Sequence, residues 1–373
     1  WLKRFCECCD LAVETNAIYS PGWVLRVAGQ VIQTMRTIAV VLAYVALAGH
    51  GRRMQFSSGA EKHNSLKSLA SLLQKLEPAA GFNPSGPGAR SPDAVHRRAP
   101  HPRCFFAQAM GKDPEMIDPA KALPGRETPI YFPESHEHFV LKNKMDDVPD
   151  GFKVAVFANG CFWGSEKGIW RLPGDGIHST AVGYCAGFSP NPTYQECCSG
   201  LTGHTEGVKV VYNPAKISFV DILRWFWEAH DPTSGMGQGN DRGTQYRSGF
   251  YYMDDEQKAL IEASKAAYEK ALADAGKDRK ITTEIAAASD YEKYGGLWNY
   301  AENYHQQYLA KPGARPYCSA QPQCVSLPPY EKWAPAGLEH HAPKLPEAFW
   351  DQEAPGKGCK VVMAPNEPIE FKF

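Results

Sequence analysis

From about Leu123 to about Leu309, short β-rich apolar runs alternate with longer stretches of helical period. Lys153 to Ala158 is an apolar run that stops at Asn159-Gly160, a pair that ends strands. Phe162 to Leu172 then reads as a helix, halted by Pro173 and Gly174. Ser179 to Phe188 and Val208 to Tyr212 read as a second and a third strand. Phe219 to Ala229 is predicted as an amphipathic helix whose buried stripe is Ile222, Leu223, Phe226 and Trp227. Tyr246 to Met253 reads as another strand. Asp254 to Ala275 reads as a long helix opened by acidic residues, which suit the positive end of its dipole. Ile281 to Ala286 is the last predicted strand. Elements interleaved in this way imply an α/β (α+β) two-layer domain. Beyond Pro312 proline becomes frequent and periodicity is lost, so residues 325–373 are expected to be a draped or loose tail. No internal repeat is present.

The first third of the chain has a different texture. The sequence opens on Trp1, and Met35 is the expected start. Arg36 and an apolar run from Ile38 to Ala48 follow, the pattern of a signal-peptide core and too short to span a bilayer. Ala46-Leu47-Ala48 resembles a cleavage site; the alternatives are a membrane anchor or a buried helix. Residues 51–110 carry Arg52, Arg53, Lys62, Lys67, Lys75, Arg90, Arg97, Arg98 and Arg103 among Ser, Ala and Pro, with few acids. Such a stretch cannot bury enough apolar surface to fold alone. The expected organisation is a leader over 1–53, a disordered transit-like linker over 54–120, a folded domain over 121–325 and a Pro-rich tail over 326–373. A signal followed by a transit stretch resembles the two-part presequences of algae with complex plastids. A plastid location is therefore expected, with the cytoplasm or secretory pathway as alternatives.

Charge and cysteine content narrow the chemistry. A formal net charge of -1 gives no global basic surface, which argues against nucleic-acid binding and for a small-molecule or protein substrate. Eleven cysteines at irregular spacing do not make a disulfide scaffold in a chain of 373 residues. Cys318 and Cys324 with His305 do not reproduce a structural zinc spacing, and no Gly-rich phosphate loop is evident, so neither a metal nor a bound cofactor is expected. Cys161 stands out because it falls where a strand turns into a helix. Free backbone N–H groups there favour negative charge, so its thiol is expected to be acidic and reactive. Gly160 and Gly164 allow close backbone approach, and Phe162 with Trp163 are able to wall an apolar pocket. The residues alone leave a buried core cysteine with packing aromatics as an equal alternative.

Gly160-Cys161-Phe162-Trp163-Gly164 resembles the signature of the A-type peptide methionine sulfoxide reductases. Further matches follow in the family's order: Gly183-Tyr184, Pro190 to Tyr194, Ser199 to Glu206, His230 to Thr233, Gly239 to Ser248, and His305 to Leu309. Leu123 to Pro129 resembles the family's lead-in, and the resemblance covers roughly residues 121–325. It implies a two-layer sandwich on a mixed, ferredoxin-like sheet. It also implies reduction of methionine S-sulfoxide in proteins, with free methionine sulfoxide as a further candidate substrate.

The resemblance carries roles residue by residue. Cys161 would attack the sulfoxide sulfur, and Glu206 would supply the proton that makes the oxygen a leaving group. Tyr194 and Tyr246 would bond that oxygen, Asp241 would hold the network, and Phe162 and Trp163 would contact the methyl group. The sulfenic acid left on Cys161 would be resolved by Cys318 in the mobile tail. Thioredoxin, or dithiothreitol in vitro, would reduce the disulfide, with Cys324 as a candidate relay. Some family members use a second recycling cysteine, but the segment between Cys318 and Cys324 departs from their Gly-rich spacer. His204, His230 and His305 are expected to be structural, and Cys185, Cys197 and Cys198 to be packing residues. The partners expected are oxidised proteins and thioredoxin, acting on a monomer without stable membrane association. The alternatives are a cysteine hydrolase or acyl transferase, which needs no dithiol, and a redox-sensing interaction module.

Overall fold

The computed structural model describes residues 114–129, 137–356 and 360–372. The expectations for the leader and the basic stretch over 51–110 lie outside the described residues. In chain order the elements are β1 (Lys153–Asn159), α1 (Phe162–Trp170), β2 (Ile177–Cys185), α2 (Tyr194–Cys198), β3 (Thr205–Tyr212) and α3 (Phe219–Glu228). There follow β4 (Gly237–Gln238), β5 (Asp241–Arg242), β6 (Ser248–Tyr252), α4 (Asp255–Asp274), β7 (Glu284–Ala287), β8 (Trp298–Tyr300), α5 (Glu347–Glu353) and α6 (Lys360–Met363). No helix among the described residues is long and apolar enough to cross a membrane.

Six strands form one sheet in the order β7-β6-β1-β3-β2-β8. Its inner four come from a β1-α1-β2-β3-α3-β6 chain path with every neighbour antiparallel, which is the expected ferredoxin-like core. β7 adds to β6 in parallel, and β8 adds to β2 antiparallel. The sheet is covered on both faces. Phe157 packs with Phe226 and Phe250 on the helical side, while Val156 and Ala158 pack with Tyr251, Tyr291 and Leu297 on the other. That double burial is why β1 reads as a nearly continuous apolar run.

The edges depart from the sequence pattern. Ile281 is buried but precedes β7, because the Thr282 N–H bonds to Pro232 O instead of joining the ladder. β8, only Trp298–Tyr300, is too short to display a period.

The predicted stripe of α3 is buried, yet the opposite side is covered too. Asp221 and Glu228 are both almost fully enclosed. The covering comes from the C-terminal segment. Asp221 closes a capping box with Ser218 and also accepts the Lys344 N–H at 2.9 Å and the Leu345 N–H at 3.2 Å. At the other end of α3, Glu228 accepts the Leu327 N–H at 2.9 Å. Arg224 pairs with Glu228 and Glu347 and lies 4.8 Å from the Trp350 ring centre. Phe349 and Trp350 are buried in the main core. The segment is therefore draped and anchored, with Lys167 Nζ donating to Ala364 O at 2.8 Å and Asn366 Oδ1 at 2.9 Å.

Candidate active site

Cys161 caps the N-terminus of α1, directly after Gly160 at φ +97°. Glycine is required there, since a Cβ would meet Gln238 Cγ at 2.6 Å. Gln238 is itself locked to the Asp231 backbone through both its amide atoms. The small β4–β5 hairpin thus presses on the turn that presents the cysteine.

The first free amide of α1, from Phe162, donates to Glu206 Oε2 at 3.1 Å. Glu206 lies on β3 opposite Tyr184 of β2, and only 4% of it is exposed. Nucleophile and carboxyl are therefore joined across one peptide unit. Burial drives the Glu206 carboxyl well above the usual carboxylate range, and that amide only partly offsets it. Burial thus favours the protonated form of this side chain.

The acidic Cys161 thiol expected from the helix terminus is not what the structure supports. Burial pushes the thiol well up, the Glu206 and Asp241 carboxyls push the same way, and the Trp163 N–H opposes them too weakly. The competing principle is desolvation, which acts against the dipole at this half-buried residue, and the Phe162 amide already serves Glu206.

The aromatic wall is well ordered. Trp163 stacks on Tyr308 with centroids 4.0 Å apart and donates from Nε1 to His305 Nδ1 at 3.2 Å. Phe162 lies 5.2 Å from the His305 ring and Tyr194 lies 4.9 Å from it. Tyr194 opens α2, where its N–H donates to Glu302 Oε1 at 3.0 Å. Glu302 also accepts from Tyr184 OH at 2.6 Å. Burial pushes the phenols of Tyr194 and Tyr246 well up, so both stay neutral donors. His204 and His230 are pushed down by burial to about 3 and about 4, so neither is a cation at pH 7. His230 is bonded to Phe226 O and Ser248 Oγ, a structural role.

Asp241 makes two contacts that the sequence did not indicate. Its two carboxylate oxygens accept from Tyr317 OH at 2.6 Å and Ser319 Oγ at 2.5 Å, the residues that flank Cys318. Cys161 and Cys318 line one cavity of about 300 Å³ together with Gly164, Gly168 and the C-terminal segment. Cys161, Cys185, Cys197 and Cys324 are free thiols, whereas Cys198 and Cys318 are each in a disulfide. This corrects one expectation, since Cys198 does more than pack; Cys324 is exposed and free.

A family model for peptide methionine sulfoxide reductases matches residues 153–334. The chain is 50% identical over 214 residues to the peptide methionine sulfoxide reductase MsrA of Salmonella arizonae, covering 57% of this chain and 95% of that protein. It is 52% identical over 216 residues to the MsrA of Azorhizobium caulinodans, covering 57% of this chain and 93% of that one. The solved methionine sulfoxide reductase A of Corynebacterium diphtheriae shares 39% identity, with a TM-score of 0.48 over 57% of this chain and 99% of that one.

The chain belongs to the A-type peptide methionine sulfoxide reductases. This reductase places Cys161, Glu206, Phe162 and Trp163 at one strand–helix junction, with Asp241 close enough for its charge to act on the sulfur. Tyr194 and Tyr246 join the same group, since both phenols lie within electrostatic reach of Glu206, Cys161 and Asp241. Sequence reasoning missed Tyr308, Glu302, Tyr317 and Ser319. Tyr308 sat within a recognised motif, but its stacking on Trp163 joins positions far apart in the chain. The hydroxyls of Tyr317 and Ser319 carried no signal beyond standing on either side of Cys318.

Proposed function

We propose that the reductase works through the following assignment of residues. The sulfoxide oxygen takes hydrogen bonds from the neutral hydroxyls of Tyr194 and Tyr246, with its methyl group against Phe162 and Trp163. The Cys161 sulfur bonds to the sulfoxide sulfur as Glu206 gives its proton to the oxygen and takes up the thiol proton. Glu206 returns its proton as the S–O bond breaks and the oxygen leaves as water; a water then adds to the Cys161 sulfur, giving a proton back to Glu206, and the bond between the two sulfurs breaks to free the thioether. Cys161–SH and the sulfoxide become Cys161–SOH and the thioether, so the substrate sulfur is reduced by two electrons and the cysteine oxidised by two. Cys318 as a thiol displaces the hydroxyl, giving a Cys161–Cys318 disulfide and water. A thioredoxin-class dithiol restores both thiols. The S epimer of the sulfoxide is the proposed substrate. The cycle uses only thiols and a carboxylic acid. The leader composition supports delivery to a plastid.

The observation that carries this reading is the Phe162 N–H to Glu206 bond, which ties a buried carboxyl to the residue following the nucleophile. The test incubates the full chain with a peptide carrying methionine S-sulfoxide and dithiothreitol and follows peptide mass. Loss of one oxygen is expected, and the Cys161→Ser variant is expected to show none. Oxygen loss by that variant would remove Cys161 from the chemistry. Cys318→Ser is expected to complete one turnover and then stall with thioredoxin, and sustained turnover would remove it as resolver.

A further inference from the structure

Residues 311–326, which follow a short helical turn at Tyr308–Ala310, hold no helix or strand, so regular structure does not place Cys318. Its neighbours do. Tyr317 and Ser319 occupy the two oxygens of Asp241, at 2.6 and 2.5 Å. The same hairpin makes two more contacts with this segment. A Cβ on Gly239 would meet Ser319 O at 2.6 Å, and the Gln321 N–H donates to Gln238 Oε1 at 3.4 Å. Ser319 is buried, and Cys318 Sγ lies 3.4 Å from where a Gly164 Cβ would stand, on the helix that begins at Cys161.

We infer that the β4–β5 hairpin is a clamp for the resolving segment, in which Asp241, through Ser319 and Tyr317, positions Cys318 for attack on the Cys161 sulfenic acid. This rests on the roles proposed above for Cys161 and Cys318. The step it serves is Cys161–SOH plus Cys318–SH giving a disulfide and water, once a dithiol has returned Cys318 to its thiol. Pinning the residues on both sides of a cysteine confines its sulfur to the span of one residue. That restraint raises its effective concentration at a target in reach. A hydroxyl bonded to a carboxylate is a charge-assisted contact, so losing one costs roughly tenfold in the population of the clamped state. Ser319 is a positioning residue in this scheme and touches no substrate.

The test uses the full chain, reduced with dithiothreitol, freed of it, and mixed with excess methionine sulfoxide in a rapid-mixing apparatus. Methionine formed in the first turnover reports reduction. Sulfenic acid captured by dimedone and weighed as intact protein reports resolution. Ser319→Ala is expected to leave the first turnover unchanged and to lengthen the sulfenic acid lifetime about tenfold. Adding Tyr317→Phe is expected to lengthen it further, and Ser319→Thr, which keeps a hydroxyl, to restore the parent lifetime. A double variant that forms the Cys161–Cys318 disulfide at the parent rate would overturn the clamp. So would a Ser319→Ala variant that slows both steps equally. Cys318→Ser separates the two failures. If its sulfenic acid does not persist, the resolver reading falls; if it persists while Ser319→Ala behaves as parent, only the clamp falls.

Discussion

Cys161 and Cys318 line the same cavity but are held there by unlike means. Cys161 sits between a central strand and the helix packed on it, and a glycine with no room for a side chain fixes its turn. Cys318 lies in irregular chain whose neighbours hang on a single carboxylate. The first arrangement cannot move without breaking the sheet–helix core. The second is irregular chain, held by side-chain contacts to one hairpin and by a disulfide at Cys318 that a dithiol can open. A thiol that meets many substrates benefits from rigidity, whereas a thiol that serves two partners in turn, Cys161 and an external dithiol, must be able to leave.

The contrast breaks first at Glu206. Glu206→Gln keeps an acceptor for the Phe162 amide but has no acidic proton, and first-turnover methionine formation at pH 7 is expected to fall by roughly 10²- to 10⁴-fold. A rate within threefold of the parent would leave the rigid side without its acid.

The next test asks how firmly the C-terminal segment belongs to the core. Trp350 is 2% exposed and packed beside Arg224. Trp350→Ala is expected to cost about 3–5 kcal/mol in urea unfolding, the range for a buried aromatic. A cost below about 1 kcal/mol would mean that the segment is laid on the surface without sharing the core.

Glu166 in α1 gives a pH signature of the rigid side. It is buried and accepts from the Gln307 N–H, the Gln307 side chain and Thr180 Oγ1. Desolvation outweighs those bonds and raises its carboxyl to about 7, against 4.5 unperturbed. The folded state then holds this proton more tightly than the unfolded chain. Its contribution is fully present below about pH 4.5 and is lost as pH rises to about 7. Glu166→Gln is expected to remove about 3 kcal/mol of that pH dependence. Unfolding curves of parent and variant that stay parallel from pH 4.5 to 7.5 would contradict it.

The smallest effect is expected at Cys324. It is exposed and free, with only a weak contact to Pro322 O. Cys324→Ser is expected to change stability by less than about 0.5 kcal/mol and thioredoxin-dependent turnover by less than about twofold. A large loss of turnover with thioredoxin alone would place it on the recycling path.

Much of the rigid side was legible in the residues. β1, α1 and α3 are spelled by local period and punctuation, and their limits agree with the prediction to within a residue or two. The GCFWG segment and the ordered motifs marked the residues around the sulfur. The irregular side was harder to read. Nothing near Asp241 in the chain indicates that its partners are Tyr317 and Ser319, and nothing in the Pro-rich tail shows that Asp221 and Glu228 of α3 await its amides. Contacts between irregular segments carry no period, and a hydroxyl beside a cysteine looks the same whether it is clamped or free.

The sequence by itself determined the sheet-and-helix order, the strand–helix turn at Cys161, and the family to which the set of motifs belongs. These follow from local propensity, glycine placement and motif spacing. Only the tertiary structure decided the protonation of the site. A helix terminus alone predicts an acidic thiol, but burial raises both the Cys161 thiol and the Glu206 carboxyl above their ordinary values. In that setting desolvation outweighs the dipole and favours the protonated form of each.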